Sequence, residues 1–85
     1  MDIKSLRYFI ATAQFGSITK AAAHLHVAQP AVSRQLRKLE DELGAKLLTR
    51  TVQGVVLTGP GEHLLARAEP LLQMLSQTRA EVRNW

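Results

Sequence analysis

Between Ile18 and Leu43 two helix-length patterns stand on either side of a three-residue break, and this punctuation constrains the fold more than any other feature. The first pattern, Ile18 to about Leu25, contains Ala21, Ala22 and Ala23, side chains small enough to let another helix approach closely. The break, His26-Val27-Ala28, predicts a tight turn. His26 is expected there in the left-handed backbone conformation, which His tolerates better than most non-glycine residues, with Val27 as the apolar plug beneath. The second pattern starts at Gln29 or Pro30, because proline in a first helical turn costs little. Val32, Leu36, Leu39 and Leu43 follow at helical spacing and predict a buried face; Gln29, Ser33, Arg34, Arg37 and Lys38 occupy the opposite one. Gly44 ends the helix.

The flanking segments extend this pair. From Ile3 to Gln14, Ile3, Leu6, Phe9, Ile10 and Ala13 lie on one helical stripe, closed by Gly16, and Ser17 is placed to cap the next helix. Leu47, Leu48 and Arg50 predict one short strand and Val55, Val56 and Leu57 another, joined through Thr51-Val52-Gln53-Gly54 as a small hairpin. Thr58 then caps a last helix whose first turn holds Gly59-Pro60-Gly61. Along it Leu64, Ala68, Leu71, Leu75, Thr78 and Val82 form a heptad-like seam, interrupted by Pro70, which is expected to kink it. The seam can be read as core against the first helix or as an interface. A helix of about 26 residues spans roughly 39 Å, more than the first helix can cover, so its far half is assigned to a second copy of the chain. The expected fold is mainly α: a winged helix-turn-helix, with a three-helix core and a two-stranded wing, followed by a long linker helix. Residues 1–58 form the first unit, with the helix-turn-helix at about 18–43 and the wing at about 46–57; residues 59–85 form the linker helix.

Eighty-five residues make one small domain, which buries only roughly 60–65% of its unfolded surface; further stability is expected from a partner subunit. A hydrophobic fraction of 46% with 21% charged residues is that of a globular chain. The absence of cysteine excludes disulfides and thiolate metal sites. The longest apolar run, Tyr8–Ala11, falls far short of the roughly 20 residues of a membrane span. Asp2 and Lys4 directly after Met1 do not read as a signal peptide, so a cytoplasmic protein is expected. The net charge of +4 is unevenly placed. Residues 1–38 hold Lys4, Arg7, Lys20, Arg34, Arg37 and Lys38 against Asp2 alone, while acids offset bases in the remainder. A basic half-domain suggests a polyanionic partner.

A short helix behind a tight turn, exposing polar and basic groups, suits the major groove of B-DNA, which admits one helix and presents donors and acceptors on base edges. Gln29 can pair with adenine, Arg34 with guanine, and Ser33 with a base or a phosphate; Pro30 and Ala31 offer apolar contact to a thymine methyl. Arg37 and Lys38, a turn further on, are expected on phosphates. The plainer reading of the same face is a solvated surface with Arg37–Asp41 and Lys38–Glu42 pairs, and Glu40-Asp41-Glu42 is read as a solubilising, intrahelically paired cluster. His24 and His26 point to different sides of a helix with no third ligand, and His63 is likewise isolated, so no metal is expected. No catalytic constellation or phosphate-binding glycine loop occurs, so neither an enzyme nor a cofactor is expected. The competing reading is an assembly module in which the linker helix acts by oligomerisation.

The run Ala21-Ala22, Leu25, Gln29-Pro30-Ala31-Val32-Ser33-Arg34-Gln35, Leu39-Glu40, Leu43-Gly44, Leu47-Leu48, Arg50, Leu57-Thr58 and Gly61 resembles the N-terminal domain of LysR-type transcriptional regulators, over essentially the whole chain. The resemblance implies sequence-specific binding of double-stranded promoter or operator DNA at interrupted inverted repeats. It also implies antiparallel pairing of linker helices into a homodimer, tetramers of the full-length protein, and a C-terminal effector-binding domain that senses a small molecule. That last domain is absent from these 85 residues, which are therefore expected to be a piece of a longer regulator. The implied DNA readers are Gln29, Pro30, Ser33 and Arg34, with Arg50 at the wing base on the backbone and Thr51 and Gln53 at the wing. The seam residues Leu64, Ala68, Leu71, Leu75 and Val82 are the expected dimer contacts. Three positions depart from the family pattern. Ala28 replaces a Ser or Thr cap, Leu48 a common phenylalanine, and Gln53 a wing arginine, which takes a positive charge from the wing's minor-groove contact.

Overall fold

In the computed structural model of residues 1–85 the elements run α1 (Ile3–Phe15), α2 (Ile18–Leu25), α3 (Gln29–Leu43), β1 (Leu48–Thr51), β2 (Gly54–Leu57) and α4 (Gly59–Arg83). This is the expected winged helix-turn-helix with a long last helix. Helix α1 begins in a reciprocal cap that the sequence reading overlooked. The Asp2 carboxylate accepts from the Ser5 amide at 2.8 Å, and Ser5 Oγ accepts from the Asp2 amide at 3.2 Å. Satisfying two helix-end donors this way stabilises the first turn. The buried stripe of α1 also differs from the expected one. Ser5, Leu6, Tyr8, Phe9, Ala11 and Thr12 are buried, whereas Ile3 is exposed. The helix is covered on two sides, by α2 and α3 and by α4, so its buried arc is wider than a single stripe. Thr12 is tolerated there because its hydroxyl donates to the Tyr8 carbonyl at 2.8 Å.

Ser17 caps α2 through the Lys20 amide at 3.1 Å. Of the alanine run, Ala21 and Ala22 are buried and Ala23 is exposed. His26 has the expected positive φ of 59°, and no other non-glycine residue in the chain does. The Val27 amide reaches back to the Ala22 carbonyl at 3.0 Å, closing the turn as a Schellman motif, while Val27 packs against the core. In α3, Val32, Leu36 and Leu39 are buried as expected, but Leu43 in the last turn is exposed. These side chains meet Tyr8, Phe9, Ile18, Ala22, Leu47 and Leu48 in one core.

The antiparallel wing pairs Leu48 with Leu57 and Thr51 with Gly54. Its first strand therefore starts one residue later than expected, and Val52-Gln53 form a two-residue tip. Two glycines permit close approaches that knit the wing to the body. A Cβ on Gly54 (φ +136°) would lie 2.2 Å from the Gly16 carbonyl oxygen, and one on Gly61 would lie 2.0 Å from that of Leu47. Thr58 closes the wing: its amide donates to the Leu47 carbonyl, its hydroxyl donates to the Lys46 carbonyl, and its Oγ1 accepts from the Gly61 amide to cap α4.

Helix α4 continues through Pro70, although the Ala66 carbonyl loses its amide donor there. The early seam residues face inward. Ala68 is fully buried in its own chain, leaving no surface for a partner, and Leu64 packs against the core. Leu71 and Val82 are exposed, 49% and 71%, and Leu75 is half-buried. The chain boundary at 58/59 is thus no boundary in packing, because Gly61, Leu64, Leu65 and Ala68 complete the core.

Candidate nucleic-acid interface

Helix α3 opens with Gln29 and Pro30 exposed to solvent and Ala31 half-buried. Ala28 stands at the N-cap in extended conformation but makes no side-chain cap. A turn on, Arg34 is exposed and Ser33 half-buried; Arg37 and Lys38 are exposed on the next turn. The recognition face predicted from sequence is therefore a contiguous polar and basic surface at the N-terminal half of α3.

The structure brings the wing to this face. Arg50 Nη2 donates to Ser33 Oγ at 3.3 Å, across 17 residues of chain. Between α3 and β1 lies a groove of about 560 Å³, lined by Ser33, Arg37, Glu40, Lys46, Thr49 and Arg50 along with apolar residues beneath. Three cations, Arg37, Lys46 and Arg50, line one concavity, a shape and charge suited to a phosphate backbone. Lys46 and Thr49 escaped the sequence reading, because their place in the groove depends on how the hairpin folds back against α3. At the tip, Thr51, Val52 and Gln53 are exposed. Thr51 Oγ1 accepts from the Gln53 amide and donates to the Gly54 carbonyl, both at 3.2 Å. These bonds hold the tip while leaving the Gln53 side chain outward.

Two expectations about charge pairing are corrected. Lys38 pairs with Asp2 at 3.7 Å rather than with Glu42, and Glu42 pairs with the Met1 α-amino group. Arg37–Asp41 is not an ion pair; Lys38–Asp2 and Met1–Glu42 are the two that the chain forms. The N-terminus lies against the last turns of α3, a tertiary neighbour closer than the helical i,i+4 position. Lys38 is thus turned toward α1, while Arg34 and Arg37 stay unpaired. Asp2 has its carboxyl held below its ordinary value of 3.8, first by the Ser5 amide and then by the Ser5 hydroxyl, with a smaller contribution from Lys38. Glu40 is not an intrahelically paired surface charge either: its Oε2 accepts from the Leu47 and Leu48 amides at 2.7 and 3.3 Å.

The histidines do not converge on a metal site; no three His, Asp or Glu side chains do. His24 instead packs against Phe15, ring centroids 5.0 Å apart. No helix is long and apolar enough to cross a membrane.

Residues 3–62 match the family described as "Bacterial regulatory helix-turn-helix protein, lysR family". The chain is 48% identical over 85 residues to the HTH-type transcriptional regulator BsdA of Bacillus subtilis (strain 168), covering 99% of this chain and 29% of that protein. It is 41% identical over 78 residues to the HTH-type transcriptional regulator TfdT of Cupriavidus pinatubonensis (strain JMP 134 / LMG 1197), covering 92% of this chain and 34% of TfdT. The chain thus spans about a third of the length of these relatives or less. Among solved structures, the CbnR_DBD–DNA complex superposes with a TM-score of 0.96 at 38% identity, covering 99% of this chain and 97% of the other. The BenM_DBD/catB site 1 DNA complex gives 0.95 at 39% identity, covering 99% and 94%.

Proposed function

The chain belongs to the LysR family of bacterial regulatory helix-turn-helix proteins, transcriptional regulators rather than enzymes, and from that premise we propose how its own residues read an operator. Helix α3 enters the major groove of double-stranded DNA, with Gln29, Pro30, Ala31, Ser33 and Arg34 toward base edges. Arg37 and Arg50 lie along the phosphates, joined by Lys46; Lys38 reaches a phosphate only by leaving Asp2. Thr51 and Gln53 lie over the adjoining minor groove. The observation that carries this reading is the Arg50–Ser33 hydrogen bond at 3.3 Å, because it joins the wing and the outward face of α3 in one surface. The DNA complexes of CbnR_DBD and BenM_DBD, which share this fold throughout, support it.

Two copies pair through the exposed distal part of α4, Leu71, Leu75 and Val82, and present two α3 helices related by a two-fold axis to half-sites about one helical turn apart. In this reading residues 1–58 are the DNA-reading unit and 59–85 the linker helix. The full-length protein is a tetramer whose response to a small molecule lies in a further domain, and the compartment is the cytoplasm, where promoter DNA is found.

The test is selection from a pool of random duplexes, followed by titration of the enriched site at several salt concentrations. The expected result is an enriched inverted repeat, with affinity falling steeply as salt rises. Binding without enrichment would reduce the surface to an electrostatic patch. No binding even at low salt would leave assembly through α4 as the function of the fold.

A further inference from the structure

Glu40 is placed oddly for a DNA-binding surface. It lines the same groove as Arg37, Lys46 and Arg50, where a negative charge repels phosphate. It forms no ion pair with any of these cations. Instead Oε2 accepts from two successive backbone amides, Leu47 at 2.7 Å and Leu48 at 3.3 Å. Both residues have buried side chains, so the bonds grip the chain where it leaves the core and becomes β1.

Glu40 and Ser33 are seven residues apart, two turns along one face of α3. Leu48 and Arg50 are two residues apart on one face of β1. Glu40 holds the Leu48 amide, and Ser33 holds the Arg50 guanidinium. The two contacts bind the same helix face to the same strand. Both contacts involve an ionised group, but the outer one is a single bond open to solvent, from an exposed guanidinium to a half-buried hydroxyl, whereas the inner one is part-buried and takes in two amides, so it is the stronger. We infer that Glu40 is a positioning residue for sequence selectivity: it fixes the root of the wing against the recognition helix, so that Arg50 and Ser33 meet DNA as one preset surface. This rests on the DNA-reading function proposed above.

Glu40 has two separable properties, its acceptor oxygens and its charge. Glu40→Gln keeps an acceptor for both amides and removes the charge; Glu40→Ala removes both. Two measurements on the 85-residue chain distinguish them. In hydrogen exchange, Leu47 and Leu48 amides are expected to lose protection by on the order of 10-fold or more in Glu40→Ala, and to keep most of it in Glu40→Gln. In binding, the ratio of affinity for the selected operator over random duplex is expected to fall roughly 10-fold in Glu40→Ala. Glu40→Gln should keep that ratio while binding all duplexes more tightly, since a repulsive charge is gone. A merely structural role would lower the melting temperature and both affinities together, without changing their ratio. Unchanged exchange at Leu47 and Leu48, or an unchanged ratio in Glu40→Ala, overturns the inference while leaving the DNA-reading function intact. A parent chain that selects no sequence overturns both.

Discussion

At the scale of single residues, the roles on α3 divide by what surrounds each side chain. Arg34 is exposed on α3 and has no ion-pair partner, which leaves its guanidinium free for the proposed bidentate pairing with guanine. Arg34→Ala should cost about 1–3 kcal/mol at the operator and relax base preference at one position; equal affinity and selectivity would remove it from base reading. Arg37 borders the groove beside Lys46. Arg37→Ala should weaken all duplexes alike and reduce the salt slope by about 0.9, measured as log affinity against log salt. Asp2 shows the same dependence on context. Its carboxyl is held below 3.8 by the Ser5 amide and hydroxyl, so below that value the unfolded chain binds the proton more readily than the native one. The cap's contribution is therefore present above about pH 4 and is lost as pH falls through the lower native value. Urea denaturation between about pH 5 and pH 2 should show a steeper acid loss in the parent than in Asp2→Asn, which accepts a hydrogen bond but does not titrate. Coincident pH profiles would contradict this.

At the scale of elements, α4 changes character along its length. Gly61, Leu64 and Ala68 finish the domain's own core, whereas Leu71, Met74 and Val82 remain exposed. The heptad-like seam does not reveal where one role gives way to the other, because both need apolar residues at the same spacing. Substitutions can separate them. Leu71→Arg with Val82→Arg should convert a dimer to a monomer in sedimentation equilibrium while leaving the monomer's melting temperature nearly unchanged. Ala68→Arg should instead unfold the domain, because the fully buried site has no room for the longer side chain. A double variant that stays dimeric would assign the interface elsewhere. Elements set by local chemistry were legible in the sequence: the Ser17 and Thr58 caps, the His26 turn and the Gly44 stop all form as expected. The Asp2 cap went unread because Ser5 holds the place usually taken by Glu or Gln.

At the scale of the whole molecule, the wing is held by contacts that converge from distant parts of the chain. The Val55 amide donates to the Gly16 carbonyl at 3.0 Å, the Thr58 amide to that of Leu47 at 3.0 Å, and Gly61 lies against the Leu47 backbone. Gly61→Ala places a methyl 2.0 Å from a carbonyl oxygen fixed by these bonds, and should cost about 1–3 kcal/mol or more in chemical denaturation; a loss well under about 1 kcal/mol would mean that α4 can shift freely. Which side chains α3 exposes, by contrast, needed no tertiary information. Helical periodicity alone separates Val32, Leu36 and Leu39 from Gln29, Ser33 and Arg34, since α3 buries a single stripe, unlike α1. The sequence by itself thus determined the order of the elements, their caps and turns, and which side chains α3 turns outward, all consequences of interactions within a few residues. Only the tertiary structure decided that Glu40 grips the wing, that Lys38 turns to Asp2, that Lys46 and Arg50 border one groove, and that Ala68 belongs to its own core. Each of these depends on groups distant in sequence, whose approach is set by packing of the assembled helices rather than by local periodicity.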